Sequence, residues 1–438
     1  MSVAVQERQV ETRRADGSGR VALWFVVAGW TAVLGLLLRH REVISSDTLS
    51  NYIHVWYVAD HVWNGQGVPL HMPVLGHGEA LAFPYGFVPW MTAVLLWPLM
   101  HEWSVTFCLG LGFVLLVAAT FWAFPEVRKG WWAVGTLLNP ALAMGLLLGQ
   151  LPFMWAAAMF LAAIGCWRRG RRTSATVLAA LAQLTHAPIL VPLVALTVFA
   201  YRRHEPDRSA LVKRWLVSVL CAAPAIVLVF ASPVAGDTHP LLGLWIEVET
   251  LCLRALVIIV PVGMVLLQRR ELPTVHRRVA MRVVGLMLLG QIAIAFGAGM
   301  RVGWGSMFRE PRPGALALTR SQSFEPGKTY RVLSQGDGKY APYAAVRGGA
   351  KLDSEFFPES LYWRSFPDVG AYSRFLHQRQ VDFVAIYNEY AGRRTNEKEL
   401  LETLAADSGA ACRNDLRVTV AEQTSSYELF RVDRRCSG

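Results

Sequence analysis

The residues best suited to chemistry fall into two groups. One sits in a polar loop after the first apolar run, which holds the carboxylates Asp47, Asp60 and Glu79 together with His54, His61, His71 and His77. The other consists of polar groups set into apolar stretches: Gln150 in Gly149-Gln150-Leu151-Pro152, His186 in His186-Ala187-Pro188, and Arg254 in Leu251-Cys252-Leu253-Arg254-Ala255-Leu256. A loop carboxylate is a candidate general acid or base. Asp47 also precedes a helix-like stretch that begins at Thr48, and Asp is a favoured N-cap, so capping is the plain alternative and can coexist with catalysis. Asp60 and Glu79 read most simply as solvated loop acids, with contact to substrate hydroxyls as the functional reading. An arginine in an apolar run is costly to bury unpaired, which makes Arg254 a candidate anion ligand, against snorkelling or pairing with Glu247 or Glu249. His186 reads either as part of such an anion site, as does Arg301, or as a satisfied core histidine. Neither His54 with His61 nor His71 with His77 has four-residue helical spacing, and no cysteine pair has metal-finger spacing, so no metal is expected.

The elements that position these groups follow from an apolar composition. Of 438 residues, 53% are hydrophobic and 17% charged, with 16 tryptophans, which departs from soluble globular usage and puts most of the chain in lipid. A net charge of +11 would suit nucleic acid if it gathered on a folded domain. Residues 301–438 instead hold 20 Lys and Arg against 17 Asp and Glu, so the excess lies in short clusters between apolar runs. Such clusters are orientation signals, and no nucleic-acid partner is expected.

Apolar runs fall near residues 21–38, 83–100, 104–124, 131–148, 152–167, 174–186, 188–200, 215–231, 250–268 and 283–300. The first is too long for a signal-peptide core and lacks a small-residue cleavage site, so it anchors the chain behind a basic cytoplasmic tail, residues 1–20. Basic clusters at Arg168–Arg172, Arg202–Arg214 and Arg269–Arg282 are cytoplasmic by the positive-inside rule. The last run then exits, which puts residues 301–438 outside with the loops 39–80 and 232–249. Ten crossings would return the chain to its starting side, so one run does not cross. Asn139-Pro140 and Gly149-Gln150-Leu151-Pro152 interrupt residues 131–167, which are expected to hold the broken or re-entrant segment; such breaks are tolerated where backbone lines a cavity or is buried in protein. In the first loop, Thr48–Trp63 suits an amphipathic helix with Tyr52, Trp56 and Trp63 near one stripe, as at a membrane interface.

Beyond Arg309–Gly314, a Pro- and Gly-containing linker, the pattern changes. Thr329–Ser334, Val381–Tyr387, Leu416–Val420 and Tyr427–Val432 are strand-like, and Val369–Gln380 and Asn396–Ala406 helix-like. The expected fold is mainly α: a polytopic transmembrane helical bundle over residues 21–300, followed by a small soluble extracytoplasmic α/β domain over residues 301–438. That domain's only cysteines, Cys412 and Cys436, form a disulfide as a hypothesis, since an oxidising compartment permits the bond but spacing does not establish it.

The ordered set Asp47, Asn51-Tyr52, Gly65-Gln66-Gly67-Val68-Pro69 and Phe83-Pro84-Tyr85 resembles the type C superfamily of glycosyltransferases, polytopic enzymes that use polyprenyl-phosphate sugars. There an Asp soon after the first span is followed by a Tyr-rich helix, a Gly-x-x-Pro turn and a Tyr/Pro-rich entry into the second span. Gly149-Gln150, the basic loop Arg168–Arg172, and Ala175–Thr185 leading into His186-Ala187-Pro188 are similar to the actinobacterial mannosyltransferase branch, with His186 near that branch's usual Lys. The resemblance covers roughly residues 20–300 and implies a GT-C-like bundle. No Asp-x-Asp occurs near Asp47, so the metal-dependent branch fits poorly.

The resemblance implies transfer of a sugar, a mannose or a pentose, from a polyprenyl-phosphate donor to a glycan, lipid or polymer hydroxyl on the outer membrane face. Lipid phosphate is already a competent leaving group, so the reaction needs no cofactor; it needs a base, Asp47, worth ~10²- to 10⁴-fold, and it inverts the anomeric centre. Asp60, Glu79, Tyr85, Gln150, His186 and Arg254 are the expected substrate contacts, the cations facing the donor phosphate, with membrane lipids around the bundle. The competing readings are a transporter or flippase of lipid-linked sugars, which would share broken helices and embedded polar groups, and a non-catalytic cell-envelope assembly protein. No inverted repeat is visible to support the first.

The orientation has a direct test. Engineered cysteines near residues 170, 207 and 274 should react only after the membrane is opened, and those near 60, 240 and 380 should react with an impermeant reagent on intact cells. Protection at residue 380 would overturn the orientation.

Overall fold

The computed structural model describes residues 3–43, 45, 47–76, 80–83, 85–203, 205–231, 240–270, 273–302, 310–334, 340–353, 365–388, 395–407 and 416–434. Glu79, Cys412, Cys436 and the side chains of Glu247, Glu249 and Arg301 lie outside the described residues. The chain divides into two compact units: a helical one of residues 1–41, 85–229 and 247–298, and a second one of residues 42–84, 230–246 and 299–438.

The helical unit follows the apolar runs. Its helices are α1 (Val3–Arg39), then, after α2 (Thr48–Trp63) in the other unit, α3 (Phe87–Met100), α4 (Trp103–Ala123), α5 (Gly130–Leu137), α6 (Pro140–Leu147), α7 (Leu151–Arg168), α8 (Arg172–Thr185), α9 (Ala187–Tyr201), α10 (Arg208–Ala231), α11 (Pro240–Arg270) and α12 (Pro273–Val302). Among the described residues, six stretches are long and apolar enough to cross a membrane: Ser18–Arg39, Trp103–Ala123, Gly130–Leu147, Leu151–Arg168, Arg208–Val227 and Arg278–Gly297. The outward faces agree, with Trp24, Phe25, Leu220, Leu286 and Phe296 largely exposed, as lipid-facing side chains must be. The chain is a multi-pass membrane protein.

Helix direction comes from a few contacts. Trp155 of α7 donates to the Cys108 carbonyl of α4 at 2.9 Å and lies over Gly112, while Trp122 of α4 lies over Gly165 of α7. Contact positions climb in the same order on both, so α4 and α7 are parallel, and α5 with α6 must carry the chain back between them. At one end of the bundle Arg168 pairs with Glu126, Arg172 with Asp207 at 2.9 Å, and Trp167 with Glu205 at 2.8 Å, while Gln268 reaches the Glu126 carbonyl at 3.2 Å. The three basic clusters therefore leave from one end. At the other end Trp103 donates to the Leu38 carbonyl at 3.1 Å, and the Gly86 amide, just before α3, to the Thr185 carbonyl at 2.7 Å.

Both ends of α3 thus stand at the end opposite the basic clusters, and its 14 residues span only about 21 Å. The run that does not cross is 83–100. Residues 131–167 are broken, as their Pro and Gly dictate, yet they supply two crossings. The hairpin α8–α9 runs from the basic end of the bundle and returns to it. At the break between α5 and α6, the Asn139 side chain accepts from the Ala141 amide at 3.0 Å and donates to the Leu256 carbonyl of α11 at 2.9 Å. Those bonds satisfy a backbone interruption that lipid would not tolerate.

The second unit joins the first loop to the carboxy-terminal region. Its large sheet has the order β4 (Lys351–Leu352), β3 (Thr329–Leu333), β5 (Phe383–Tyr387), β7 (Tyr427–Asp433), β6 (Arg417–Gln423); the first three are parallel and the rest antiparallel. Strands β1 (His71–Met72) and β2 (Ala80–Leu81) form a small ribbon in the loop. The short α13 (Ala317–Arg320) precedes β3, and α14 (Ala341–Arg347) follows it, while α15 (Val369–Gln378) and α16 (Glu397–Asp407) cover the face lined by Leu333, Val384, Ile386 and Phe430. In that face Arg331 is fully buried and bonds Glu397 through Nε at 2.6 Å and Nη2 at 2.7 Å, and Asp353 through Nη1 at 2.8 Å. Burial alone would pull the Arg331 pKa down; the Glu397 and Asp353 carboxylates outweigh it and hold it well above the ordinary value.

Removing one partner of such a set leaves an uncompensated buried charge. Arg331→Ala should destabilise the carboxy-terminal domain by about 3–5 kcal/mol, seen as faster amide hydrogen exchange in β3 and β5 of the full-length protein. Unchanged exchange would show that the network does not hold this domain together.

Candidate functional site

Four of the polar residues read from the sequence meet in the helical unit, far apart in the chain. Gly149 has φ +72°, a conformation that favours glycine, and turns the chain so that Gln150 heads α7. Gln150 is buried, and its Oε1 accepts from Arg254 Nε at 3.2 Å. Arg254 Nη1 lies 3.5 Å from His186 Nε2, and its guanidinium stands 5.3 Å from the centre of the Phe153 ring. His186 occupies the corner between α8 and α9. The Tyr85 ring stacks on it at 5.5 Å with an interplanar angle of 22°, and Phe153 meets it edge-on at 6.4 Å. Gly86, at φ +80°, sets the turn after Tyr85; a Cβ there would stand 2.7 Å from Trp90.

Four chain interruptions or interior positions therefore present their side chains to one another: the start of α3, the α6–α7 break, the α8–α9 corner and the interior of α11. Phe153 and Trp90 were not singled out in the sequence. Phe153 lies one turn into the helix that Gly149-Gln150 opens, and that turn was its only signal.

Proton positions follow from donor chemistry. A guanidinium only donates, so the contact to His186 Nε2 requires that nitrogen to be bare. The imidazole proton then sits on Nδ1, which is buried without a hydrogen-bond partner in a residue only 8% exposed. The cluster thus carries one fixed positive charge and, among the described residues, an imidazole N–H with no bond to another residue, at a place where an unsatisfied donor costs about 1–3 kcal/mol. An anion with a free oxygen satisfies both.

The acids belong to the second unit. Asp47 stands at the N-cap position of α2, but its side chain makes no capping hydrogen bond, so the capping role expected from the sequence is not what holds it. Its backbone is held instead: Asn51 Nδ2 donates to the Asp47 carbonyl at 2.9 Å. The Thr48 hydroxyl donates to the Val43 carbonyl and accepts from the Ser45 amide, both at 3.0 Å. Asp60 is exposed at the far end of α2, about 20 Å along the axis from Asp47, and its Oδ1 accepts from Asn64 at 3.2 Å. Asp47 and Asp60 therefore do not share one site.

Tyr52 does not lie at an interface. It is fully buried, its ring against Tyr343 and its hydroxyl accepting from the Val43 amide at 3.0 Å, because partners from later in the chain cover it; Trp63 at the helix end stays exposed. His54 is buried, with Nδ1 3.0 Å from the Ala82 carbonyl. Burial pushes its pKa down to about 4, with that carbonyl opposing, so at neutral pH it is an uncharged, weak proton acceptor. Among the described residues no three His, Cys, Asp or Glu side chains stand close enough to hold a metal ion.

No family model matches the chain, and no curated protein matches its sequence. Among solved structures the chain is similar to two crystal structures of ArnT from Cupriavidus metallidurans, one bound to undecaprenyl phosphate and one in the apo state. Identities are 13% and 14%, over 94% of this chain and 98% of that chain in each case, with a TM-score of 0.48 for both. At that score the likeness carries no argument about this chain's chemistry.

Proposed function

We propose that the chain is a membrane glycosyltransferase that moves a sugar from a polyprenyl-phosphate donor to a hydroxyl acceptor on the outer membrane face. The observation that carries this reading is the meeting of Arg254, Gln150, His186 and Tyr85 at one end of the apolar bundle, with one fixed positive charge beside an imidazole N–H. In this reading Arg254 and His186 Nδ1–H face the donor phosphate. Gln150 aims the guanidinium, and the stacked Tyr85 fixes the imidazole plane. Charge-assisted bonds to the phosphate strengthen as the glycosidic bond breaks and negative charge gathers on the leaving oxygen.

Asp47 is the proposed base. The acceptor oxygen attacks the anomeric carbon as the bond from that carbon to the phosphate oxygen breaks, with the electron pair leaving on the phosphate. Asp47 takes the acceptor proton, and a single in-line displacement inverts the anomeric centre. The acceptor is a glycan, lipid or polymer hydroxyl, and the sugar a mannose or a pentose.

The two halves of the proposal separate experimentally. Asp47→Asn keeps size but cannot take the proton, so transfer should fall by at least ~100-fold while donor-lipid binding survives. Arg254→Ala should weaken donor-lipid binding by about 10- to 100-fold, the equivalent of one charge-assisted hydrogen bond. Near-normal transfer by well-folded Asp47→Asn would remove the base assignment and turn attention to Asp60 and Glu79. Unaltered donor binding by Arg254→Ala would remove the phosphate assignment.

A further inference from the structure

The loop that carries Asp47 and the carboxy-terminal domain belong to one compact unit, and the contacts inside it converge on the start of α2. Tyr343 of α14 is fully buried, and its ring lies 5.7 Å from the ring of Tyr52, tilted by 31°. Tyr340 packs edge-on against Tyr343 at 5.2 Å, completing an aromatic wedge between the sheet and α2. Tyr52 in turn holds the Val43 amide through its hydroxyl, and Thr48 closes the same turn from Val43 and Ser45. A second tie runs along the sheet edge, where the Leu352 amide of β4 donates to the Val74 carbonyl of the loop at 2.8 Å. Val43, Ser45 and Thr48 are thus tied to one another and to Tyr52, and Tyr52 is packed by Tyr343, roughly 290 residues later in the chain.

We infer that the carboxy-terminal domain is the positioning element for Asp47, acting through the tilted Tyr343–Tyr52 ring contact. This rests on the reading of Asp47 as the base. Tyr343 is a positioning residue: it acts on the carboxylate only through Tyr52 and the turn that Tyr52 holds. Proton transfer from an acceptor hydroxyl requires heavy-atom distances near 3 Å, and displacement by about 1 Å can cost on the order of 100-fold in rate. An aromatic contact backed by a folded sheet limits such displacement better than a solvated loop does.

The test uses the full-length protein in liposomes, with a labelled polyprenyl-phosphate sugar and a saturating acceptor extract. Tyr343→Ala should lower kcat by about 10- to 100-fold and leave the donor-lipid Kd within about twofold, whereas Tyr343→Phe, which keeps the ring, should restore most of the rate. Tyr52→Phe keeps the ring contact and loses only the hydroxyl that holds Val43. It should also lower kcat by about 10-fold, and it decides the matter if Tyr343→Ala does not fold. Normal kcat in folded Tyr343→Ala, or in Tyr52→Phe when the alanine variant is lost, beside an inactive Asp47→Asn overturns the positioning inference and leaves the base reading standing. Normal transfer by Asp47→Asn overturns both. Donor affinity falling in step with kcat in Tyr343→Ala would mark a general structural role and also overturns the inference.

Discussion

A half-buried guanidinium among apolar helices needs polar partners, and the chain interruptions at this end of the bundle supply them. Arg254 lies half-buried in the apolar stretch of α11, where an unpaired charge is costly. Its partners, the Gln150 amide, the His186 ring and the Phe153 face, are held by glycine turns and helix ends, because a continuous helix could not aim them at one point. Each interruption exposes backbone groups that lipid cannot satisfy, and each is repaired locally: the Gly86 amide on the Thr185 carbonyl, the Gln150 amide on the Gly145 carbonyl, Asn139 on Leu256. These repairs gather the breaks into one region of the bundle. Among the described residues, the buried atoms left without a partner near this corner are Thr185 Oγ1, Gln183 Oε1 and His186 Nδ1.

The second unit solves a different problem. Ahead of α2, Asn51 holds the Asp47 carbonyl, Thr48 the Ser45 amide and Tyr52 the Val43 amide. The scaffold for this turn is a sheet whose own integrity depends on the buried Arg331 set with Glu397 and Asp353. Local order at Asp47 is therefore bound to the folding of a domain hundreds of residues away in sequence.

Much of the architecture was legible because periodicity and breakers act locally. Helix α2 runs over Thr48–Trp63 as its pattern dictates, and Gly149-Gln150-Leu151-Pro152 interrupts the helix where glycine and proline require. The strand-like stretches near residues 329, 383, 417 and 427 are the strands of the large sheet. What was not legible depended on long-range partners. Apolarity alone makes residues 83–100 look like a crossing; only the bonds to Thr185 and Leu38 reveal that both ends of α3 share one side. The burial of Tyr52 needed α14, and the meeting of Arg254 with residues 104 and 68 positions away needed the fold of the whole bundle.

The central claim is that the Arg254 cluster recognises a phosphate carried by a lipid, and the wild-type protein can be asked this without any variant. Competition between a polyprenyl phosphate and the uncharged polyprenol of the same chain length, read as lipid retained on the detergent-purified protein by native mass spectrometry, isolates the headgroup from the tail. A fixed charge with a ready N–H donor predicts retention of the phosphate lipid in at least about tenfold preference over the alcohol. Equal retention of the two would contradict the account.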